Sequence, residues 1–247
     1  MKFLSILSSI LLLNFLAVAQ KKTIVVYLAG DSTMAEKLAE KRPETGWGEK
    51  LQAYFDAQKV KIENHAQNGR STKTFIRENR WQAIVDKLKK GDYVFIQFGH
   101  NDESKEKVDR YTPPEDFKNN LRKFVAEVRA KKAFPVLFTP VMRRRFDENG
   151  KFYDTHGEYP DLTRSAATEL NVPLIDLHLA SEKLLIETGA EKSKKLFLIL
   201  QKGESPNYPN GLDDNTHFSP LGAEAMARLA VTEIRKSKIK LRKYLKK

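Results

Sequence analysis

The chain of 247 residues contains no cysteine. Disulfide bonds, thiol chemistry and cysteine-ligated metal sites are therefore excluded. A chain of this length can bury enough apolar surface to be stable without such cross-links, and the length fits one large α/β domain. The sequence also lacks internal repeats, low-complexity tracts and linkers rich in glycine and serine. These absences favour a single domain.

The first 19 residues have the composition of a secretory signal peptide. Lys2 gives a positive start, an apolar stretch covers residues 3–18, and Ala17-Val18-Ala19 forms a small-x-small cleavage site. The apolar stretch is short for a bilayer span and a cleavage site follows it directly, so we expect no stable membrane anchor. We expect the mature domain to begin at Gln20 and the protein to be exported, either to the periplasm or out of the cell.

Acidic residues are absent from the C-terminal segment 234–247, which carries eight lysines and arginines. They supply most of the formal charge of +12 and leave the domain at 20–233 nearly balanced. A basic tail of this kind can hold a protein near polyanions such as acidic polysaccharides or anionic lipids. The alternative is a solvated helix end kept soluble by lysine. Because the protein is expected to be exported, we expect no nucleic-acid partner.

Apolar runs alternate with helical patterns throughout the domain. The runs cover residues 23–29, 93–98, 135–140 and 173–177, and residues 60–64 form a plausible further strand. Helical periodicity covers 48–57, 75–90 and 113–132, and Ser219 and Pro220 mark the start of a closing helix. This alternation predicts a three-layer α/β/α fold with a five-stranded parallel sheet. The flavodoxin-like strand order 2-1-3-4-5 is its natural candidate.

Four short polar segments at the ends of predicted strands carry the candidate functional residues. The carboxyl ends of the strands are where an open α/β sheet gathers its site. The segments are Gly30-Asp31-Ser32-Thr33, Asn68-Gly69-Arg70-Ser71, Gly99-His100-Asn101-Asp102 and Asp214-Asn215-Thr216-His217.

Ser32 is a candidate nucleophile at the carboxyl end of the first strand. A serine at a helix N-terminus has exposed backbone N–H groups beside it, which can stabilise a developing oxyanion. The alternative is a plain helix cap, since Ser, Thr and Asp are the common capping residues. The surrounding residues match neither the Gly-x-x-x-x-Gly-Lys-Ser/Thr phosphate loop nor the Gly-x-Ser-x-Gly elbow.

Asp214 and His217 are spaced so that a carboxylate can hold the Nδ1–H of an imidazole while Nε2 faces a serine. An accidental pair on a surface loop would have the same spacing. Gly69 and Asn101 are candidate oxyanion donors beside the Ser32 amide, because glycine allows close backbone approach and asparagine carries an N–H donor. A turn glycine and a capping asparagine are the alternatives.

Taken together, the four segments resemble the GDSL or SGNH hydrolases, whose sequence blocks contribute Ser, Gly, Asn and His. The chain is most similar to the rhamnogalacturonan acetylesterase branch of that family, and the similarity extends over nearly all of residues 20–247. Further similar stretches are Gly46-Trp47-Gly48 and the region from Thr139-Pro140-Val141 through Arg143-Arg144 to Asp154-Thr155-His156-Gly157.

The resemblance implies a role for each matching residue. Ser32 would be the nucleophile, His217 the general base and Asp214 the residue that orients it. The Ser32 amide, Gly69 and Asn101 would form the oxyanion hole. The implied activity is two-step hydrolysis that removes acetyl groups from an acetylated pectic polysaccharide, with no metal or other cofactor.

Several further residues are candidates for substrate binding. Arg143 and Arg144 could bind a galacturonate carboxylate, although a solvent-facing basic loop is an equal alternative. Trp47 could stack on a sugar ring or belong to the core. His100 and His156 are interpreted as substrate-lining or structural, because the histidines show no metal-ligand spacing.

Three alternative functions are compatible with the sequence. One is an esterase of the same family acting on another acetylated polysaccharide such as xylan, and a second is a lipase or lysophospholipase. The latter would need an apolar acyl pocket, and a chain with a mean hydropathy of −0.54 shows no obvious apolar lid. The third is a non-catalytic polysaccharide-binding module. The sequence makes no prediction of the oligomeric state.

Overall fold

A five-stranded parallel sheet lies at the centre of the structure, a computed structural model that describes residues 23–247. Its order is β2-β1-β3-β4-β5, and every neighbouring pair is parallel. The predicted fold class and strand order are therefore confirmed, while the predicted signal peptide at 1–19 lies outside the described residues. The strands are β1 (Ile24–Gly30), β2 (Val60–Asn64), β3 (Tyr93–Gln97), β4 (Phe134–Phe138) and β5 (Leu174–Ile175).

Helices cover both faces of the sheet and bury two separate apolar clusters against it. None of the helices within 23–247 is long and apolar enough to cross a bilayer. The α-helices are α1 (Thr72–Arg77), α2 (Arg80–Lys87), α3 (Pro114–Ala130), α4 (Tyr159–Glu169), α5 (Leu177–Thr188), α6 (Ala190–Ser193) and α7 (Pro220–Lys236). Short 3₁₀ helices cover Ala39–Lys41, Trp47–Tyr54, Lys194–Leu196 and Lys240–Tyr244.

The helices differ from the predicted pattern in two places. The periodic stretch at 75–90 is divided between α1 and α2, because Asn79 adopts a left-handed conformation with φ of 57°. Asparagine tolerates this conformation better than most residues do. The stretch predicted as a helix over 48–57 is the 3₁₀ helix 47–54. It packs so closely on the loop after β1 that a Cβ atom at Gly48 would lie 2.5 Å from the Met34 carbonyl oxygen.

A small antiparallel pair of strands, which the sequence pattern did not predict, lies before α7. It consists of β6 (Phe197–Leu200) and β7 (Leu212–Phe218), with an irregularity in the pairing between Phe197 and Leu198. The side chains of β7 do not alternate between apolar and polar, so the usual strand signal is missing. This strand carries both Asp214 and His217.

The basic segment 234–247 packs onto the rest of the domain. Helix α7 continues through Lys236, and Ile239 and Leu241 are buried beyond its end. The Asp56 N–H donates to the Tyr244 carbonyl oxygen at 2.9 Å, and the Lys246 N–H donates to the Tyr54 carbonyl oxygen at 2.9 Å. The segment is thus fixed in place by its apolar residues while its charged residues remain at the surface.

Asp102 is a buried carboxylate that connects two loops at the carboxyl edge of the sheet. Its Oδ1 accepts hydrogen bonds from the Thr72 N–H at 2.9 Å and the Thr72 hydroxyl at 2.6 Å. Burial raises the pKa of Asp102 from 3.8 to about 7, although these two hydrogen bonds act in the opposite direction. The side chain therefore retains a proton in the folded state at pH values where the unfolded chain has lost it.

Replacing Leu241 with alanine should destabilise the protein by about 2–5 kcal/mol, because a fully buried leucine would leave a cavity. The control is Leu221→Ala in α7, where the leucine is 51% exposed, and its free energy of unfolding should change by only about 0.5 kcal/mol. Urea unfolding measures both. Equal, small effects would contradict the packing of the C-terminal segment.

Stability should fall between about pH 4 and about pH 7 through Asp102, because in this range only the folded state holds the proton. Asp102→Asn cannot titrate and keeps an oxygen for Thr72. Its free energy of unfolding should therefore fall less than that of the wild type over this range. Urea unfolding of both proteins at about pH 4.5 and about pH 7.5 measures the difference, and identical pH dependences would contradict the raised pKa.

Candidate active site

Ser32, His217 and Asp214 form a continuous hydrogen-bonded chain. The distance between Ser32 Oγ and His217 Nε2 is 2.9 Å, and that between His217 Nδ1 and Asp214 Oδ2 is 2.7 Å. A carboxylate at Nδ1 requires the proton on that nitrogen, so the neutral ring presents Nε2 as an acceptor for the serine hydroxyl. The arrangement can deprotonate the serine and then hold the resulting imidazolium.

The local fold of β7 brings Asp214 and His217 to one side of the backbone. Asp214 Oδ1 accepts hydrogen bonds from the N–H groups of Thr216 at 2.7 Å and His217 at 3.0 Å. Arg144 holds the next residue, since its backbone N–H donates to the Asn215 carbonyl at 2.8 Å and its Nη1 donates to Asn215 Oδ1 at 2.6 Å. Residues 214–217 are thus fixed both by the Asp214 carboxylate and by the loop after β4.

The electrostatics of the pair keep Asp214 ionised. Burial alone would raise the pKa of Asp214, but the hydrogen bond and positive charge of His217 and two backbone N–H groups hold the pKa at about 2. A carboxylate that stays negative near neutral pH stabilises the imidazolium formed when Ser32 loses its proton.

Gly69 and Asn101 line the same cleft as Ser32. The amide of Asn101 has a defined orientation, because Arg110 Nη1 donates to its Oδ1 at 2.8 Å and its Nδ2 donates to the Arg70 carbonyl at 3.0 Å. One N–H of Nδ2 is left for a ligand in the cleft. Gly69 has a φ of 74°, and a Cβ atom there would lie 3.3 Å from Arg110 Nη1. Asn101 is therefore oriented by its neighbours, while the backbone conformation at Gly69 favours glycine and leaves little room for a side chain.

The cleft is open and polar, with a volume of about 1080 Å³. Leu198 and Leu212 are the aliphatic residues among the described residues that line it. The acidic residues that line the cleft are Glu44, Glu78, Glu103, Glu106, Asp109 and Asp214. The basic residues that line it are Lys41, Arg70, Arg77, Lys107, Arg110, Arg143 and Arg145. Within residues 23–247, no carboxylate lies within 4 Å of the guanidinium of Arg110 or Arg145.

Trp47 lies in the core and not in the cleft. It is fully buried, its Nε1–H donates to Gln97 Oε1 at 2.9 Å, and its ring stacks on Phe138 with centroids 5.8 Å apart. The expectation that Trp47 stacks on a sugar is therefore corrected. The neighbouring Gly46 allows the backbone before Trp47 to pack closely on the loop after β1, because a Cβ atom at Gly46 would collide with the Ala35 carbonyl oxygen.

The remaining candidates for substrate binding have different positions. His100 lines the cleft, and burial keeps the pKa of its ring well below 6.5, so the ring is neutral. Arg143 also lines the cleft, but its guanidinium contacts Glu103 and donates to the His100 carbonyl at 3.2 Å. Arg144 does not line the cleft, and its donation to Asn215 makes it a positioning residue for β7. This corrects its predicted contact with substrate.

His156 is buried behind the cleft, and this corrects its predicted place in the lining. Its Nε2 lies 2.8 Å from the Val141 carbonyl oxygen and its Nδ1 lies 2.9 Å from Glu103 Oε2. The His156 ring packs edge-on against His100 with centroids 4.6 Å apart. His156 therefore supports His100 and Glu103. Among residues 23–247, no group of three or more His, Asp or Glu side chains is arranged to hold a metal ion.

Lys37 and Glu44 form a buried ion pair that the sequence pattern did not reveal. Lys37 Nζ lies 2.7 Å from Glu44 Oε1, donates to Asn68 Oδ1 at 2.7 Å and contacts the Ser32 carbonyl. Glu44 Oε1 lies 4.0 Å from His217 Nε2. The pair connects the turn that carries Ser32 to the loop of Gly69. No local motif marks it, because its members meet only through the fold.

Residues 28–225 match the sequence model of the GDSL-like Lipase/Acylhydrolase family. The rhamnogalacturonan acetylesterase RhgT of Bacillus subtilis (strain 168) is 45% identical over 226 residues, which cover 91% of this chain and 95% of that protein. Among solved structures, the protein YxiM of Bacillus subtilis is 28% identical with a TM-score of 0.75, covering 89% of this chain and 58% of that one.

The acetylxylan esterase Axe2 from Geobacillus stearothermophilus shares the fold with a TM-score of 0.58, at 16% identity over 87% of this chain and 96% of that one. The match to the family and the identity to RhgT both extend over most of the chain, and the residues that match the family model include all four polar segments. The chain belongs to the GDSL-like lipase/acylhydrolase family and is a carboxylic ester hydrolase.

Proposed function

We propose that the protein is an exported acetylesterase that removes acetyl groups from an acetylated pectic polysaccharide, rhamnogalacturonan, with Ser32 as its nucleophile. The observation that carries this proposal is the hydrogen-bonded chain from Ser32 through His217 to Asp214 at the wall of an open polar cleft. A non-catalytic binding module would have no need for such a chain.

The first half of the reaction forms an acetyl-enzyme. His217 Nε2 takes the hydroxyl proton as Ser32 Oγ attacks the acetyl carbonyl carbon. The carbonyl oxygen becomes an oxyanion that accepts hydrogen bonds from the Ser32 and Gly69 N–H groups and from Asn101 Nδ2. Each such donor contributes about 2.7–4 kcal/mol to transition-state stabilisation. The intermediate collapses when His217 returns the proton to the sugar oxygen, which leaves as a hydroxyl.

The second half regenerates the enzyme. A water molecule attacks the acetyl-Ser32 carbonyl while His217 Nε2 takes its proton. The tetrahedral intermediate then releases acetate, and the proton on His217 returns to Ser32 Oγ. Asp214 stays ionised throughout, in keeping with the low pKa of its carboxyl group.

The lining of the cleft supports an acidic polysaccharide as substrate. Arg110 and Arg145 line it without a carboxylate partner among the described residues, and a guanidinium binds a uronate carboxylate through two parallel hydrogen bonds. A lipase would need an apolar acyl pocket, whereas the aliphatic lining of this cleft is limited to two leucines in the described part of the chain. The name of the relative RhgT supports the same substrate class.

Export rests on the composition of the first 19 residues, where a positive start, an apolar stretch and a small-residue cleavage site follow one another. Sequencing the N-terminus of the protein recovered outside the cytoplasm would test it.

The test of function is acetate release from acetylated rhamnogalacturonan, with acetylated xylan and a long-chain ester as alternative substrates. Ser32→Ala should reduce kcat by at least about 10⁴-fold, because the nucleophile is lost. The control is Ser104→Ala, which removes another hydroxyl of the cleft lining and should leave the rate near that of the wild type.

Two results would overturn parts of the proposal. Unchanged acetate release in the Ser32→Ala variant would refute the assignment of the nucleophile. Ser32-dependent hydrolysis of xylan or of the long-chain ester alone would preserve the nucleophile and refute the pectic substrate.

A further inference from the structure

The edge of the sheet opposite the cleft is rich in lysine. All five strands begin at this edge because they are parallel, and lysines occur in the short segments that lead into three of them. Lys59 precedes β2, and its carbonyl accepts the Ile24 N–H at 2.9 Å at the start of β1. Lys89 and Lys90 come before β3, and Lys131 and Lys132 before β4, where the Lys132 carbonyl accepts the Gly91 N–H at 3.0 Å.

The C-terminal segment adds its charge to the same edge. It lies against Tyr54 and Asp56, the residues that lead into Lys59 and β2. A shallow groove of about 450 Å³ lies between the two, with Tyr244, Leu245 and Asp56 in its lining and four lysines around them, which are Lys59, Lys243, Lys246 and Lys247. We use the term basic face for the lysines and arginines of this region together, which are Lys59, Lys89, Lys90, Lys131, Lys132, Arg235, Lys236, Lys238, Lys240, Arg242, Lys243, Lys246 and Lys247.

The charge of the C-terminal segment is largely uncompensated. Of its eight basic side chains, Lys236 alone lies within 4 Å of a carboxylate of the described residues, that of Glu233 at 2.7 Å. Nearby acids on this edge have other contacts, because Asp92 is buried and accepts from the Val25 and Lys89 N–H groups, and Asp56 accepts from the Gln58 N–H. The C-terminal segment therefore contributes a local excess of positive charge to the basic face.

Stabilisation of a helix C-terminus explains the position of only some of these basic residues. Arg235 and Lys236 occupy the last turn of α7, where cations stabilise the helix C-terminus. Residues 238–247 lie beyond that helix and gain nothing from its dipole. They are nevertheless held in place, since Ile239 and Leu241 are buried and Leu245 forms a backbone bridge with Phe55. A fixed array of cations costs self-repulsion, which an anionic partner would relieve.

The exposed chemistry of the segment favours a hydrophilic polyanion over a bilayer. Its exposed side chains are all lysine and arginine. Ile239 and Leu241 are buried and Tyr244 and Leu245 are half-buried, so the segment presents no fully exposed apolar side chain for insertion among lipids. An acidic polysaccharide presents repeated carboxylates and needs no such insertion.

We propose that the basic face is a second binding surface for polyuronate chains, located across the sheet from the catalytic cleft. It would retain the enzyme on an acidic polymer while the cleft acts on acetyl groups elsewhere on that polymer. The choice of a polyuronate as the partner rests on the proposed function, whereas the surface itself rests on the charges and contacts described above.

The test is binding of the Ser32→Ala protein to polygalacturonate, a polyuronate without acetyl groups, by affinity electrophoresis. Lys240, Lys243, Lys246 and Lys247 are replaced together by glutamine in one variant. The matched control replaces Lys183, Lys192, Lys195 and Lys202, four exposed lysines outside both the basic face and the cleft lining. Binding should weaken by about tenfold or more in the first variant at low salt and stay near wild type in the control.

The wild-type interaction should also weaken as salt is added, and more steeply than that of the first variant. The proposal would be overturned if both lysine variants lost affinity for polygalacturonate equally, or if the Ser32→Ala protein with all its lysines did not bind the polymer. Binding to anionic phospholipid vesicles but not to polygalacturonate would overturn the choice of partner. These measurements involve no turnover, so they are independent of the acetate-release test. In the background with an intact Ser32, both lysine variants should hydrolyse a small soluble acetyl ester at the wild-type rate.

Discussion

The Asp214 carboxylate accepts a hydrogen bond from His217 Nδ1 at 2.7 Å, and the geometry of the site depends on this contact. It selects the ring tautomer and directs Nε2 toward Ser32. The contact in turn depends on β7, which is held by its pairing with β6 and by the bonds of Arg144 to Asn215. Arg144, which lies outside the cleft lining, thus helps to position His217 relative to Ser32.

The carboxyl and amino ends of the parallel strands present different kinds of side chains. At the carboxyl edge, loops bring Ser32, His217, Gly69 and Asn101 into one cleft. At the amino edge, the returning helices and the C-terminal segment present lysine. Helix α7 connects the two, because it begins at Pro220, three residues after His217, and ends within the basic segment. The separation allows the surface charge to vary without a change in the catalytic geometry.

The sequence predicted β1, β3 and β4 well because these strands are largely buried and read as nearly continuous apolar runs. It also predicted the polar segments that meet at the cleft, since each follows a recognisable strand or precedes a recognisable helix. It did not predict β7, whose polar side chains serve the site and do not alternate. Nor did it predict the break at Asn79, which depends on one left-handed residue.

The side chains around the site were less predictable than the residues within it. Trp47 is buried because Gly46 and Gly48 let its helix pack closely on the loop after β1. Arg144 points toward β7, whereas its neighbour Arg143 points toward the cleft. The Lys37–Glu44 pair and the bond from Arg110 to Asn101 join residues from different loops. Such contacts are set by the packed fold and leave no periodic or local signal in the sequence.

The most direct measurement of the central claim is covalent labelling with a serine-directed fluorophosphonate, followed by intact mass and peptide mapping. The hydroxyl oxygen displaces fluoride from phosphorus only where a base activates it and amide donors hold the phosphoryl oxygen. The account predicts one adduct per chain, located on Ser32 and formed far more slowly in His217→Ala. An adduct on another residue, or labelling of Ser32 at an equal rate without His217, would contradict it.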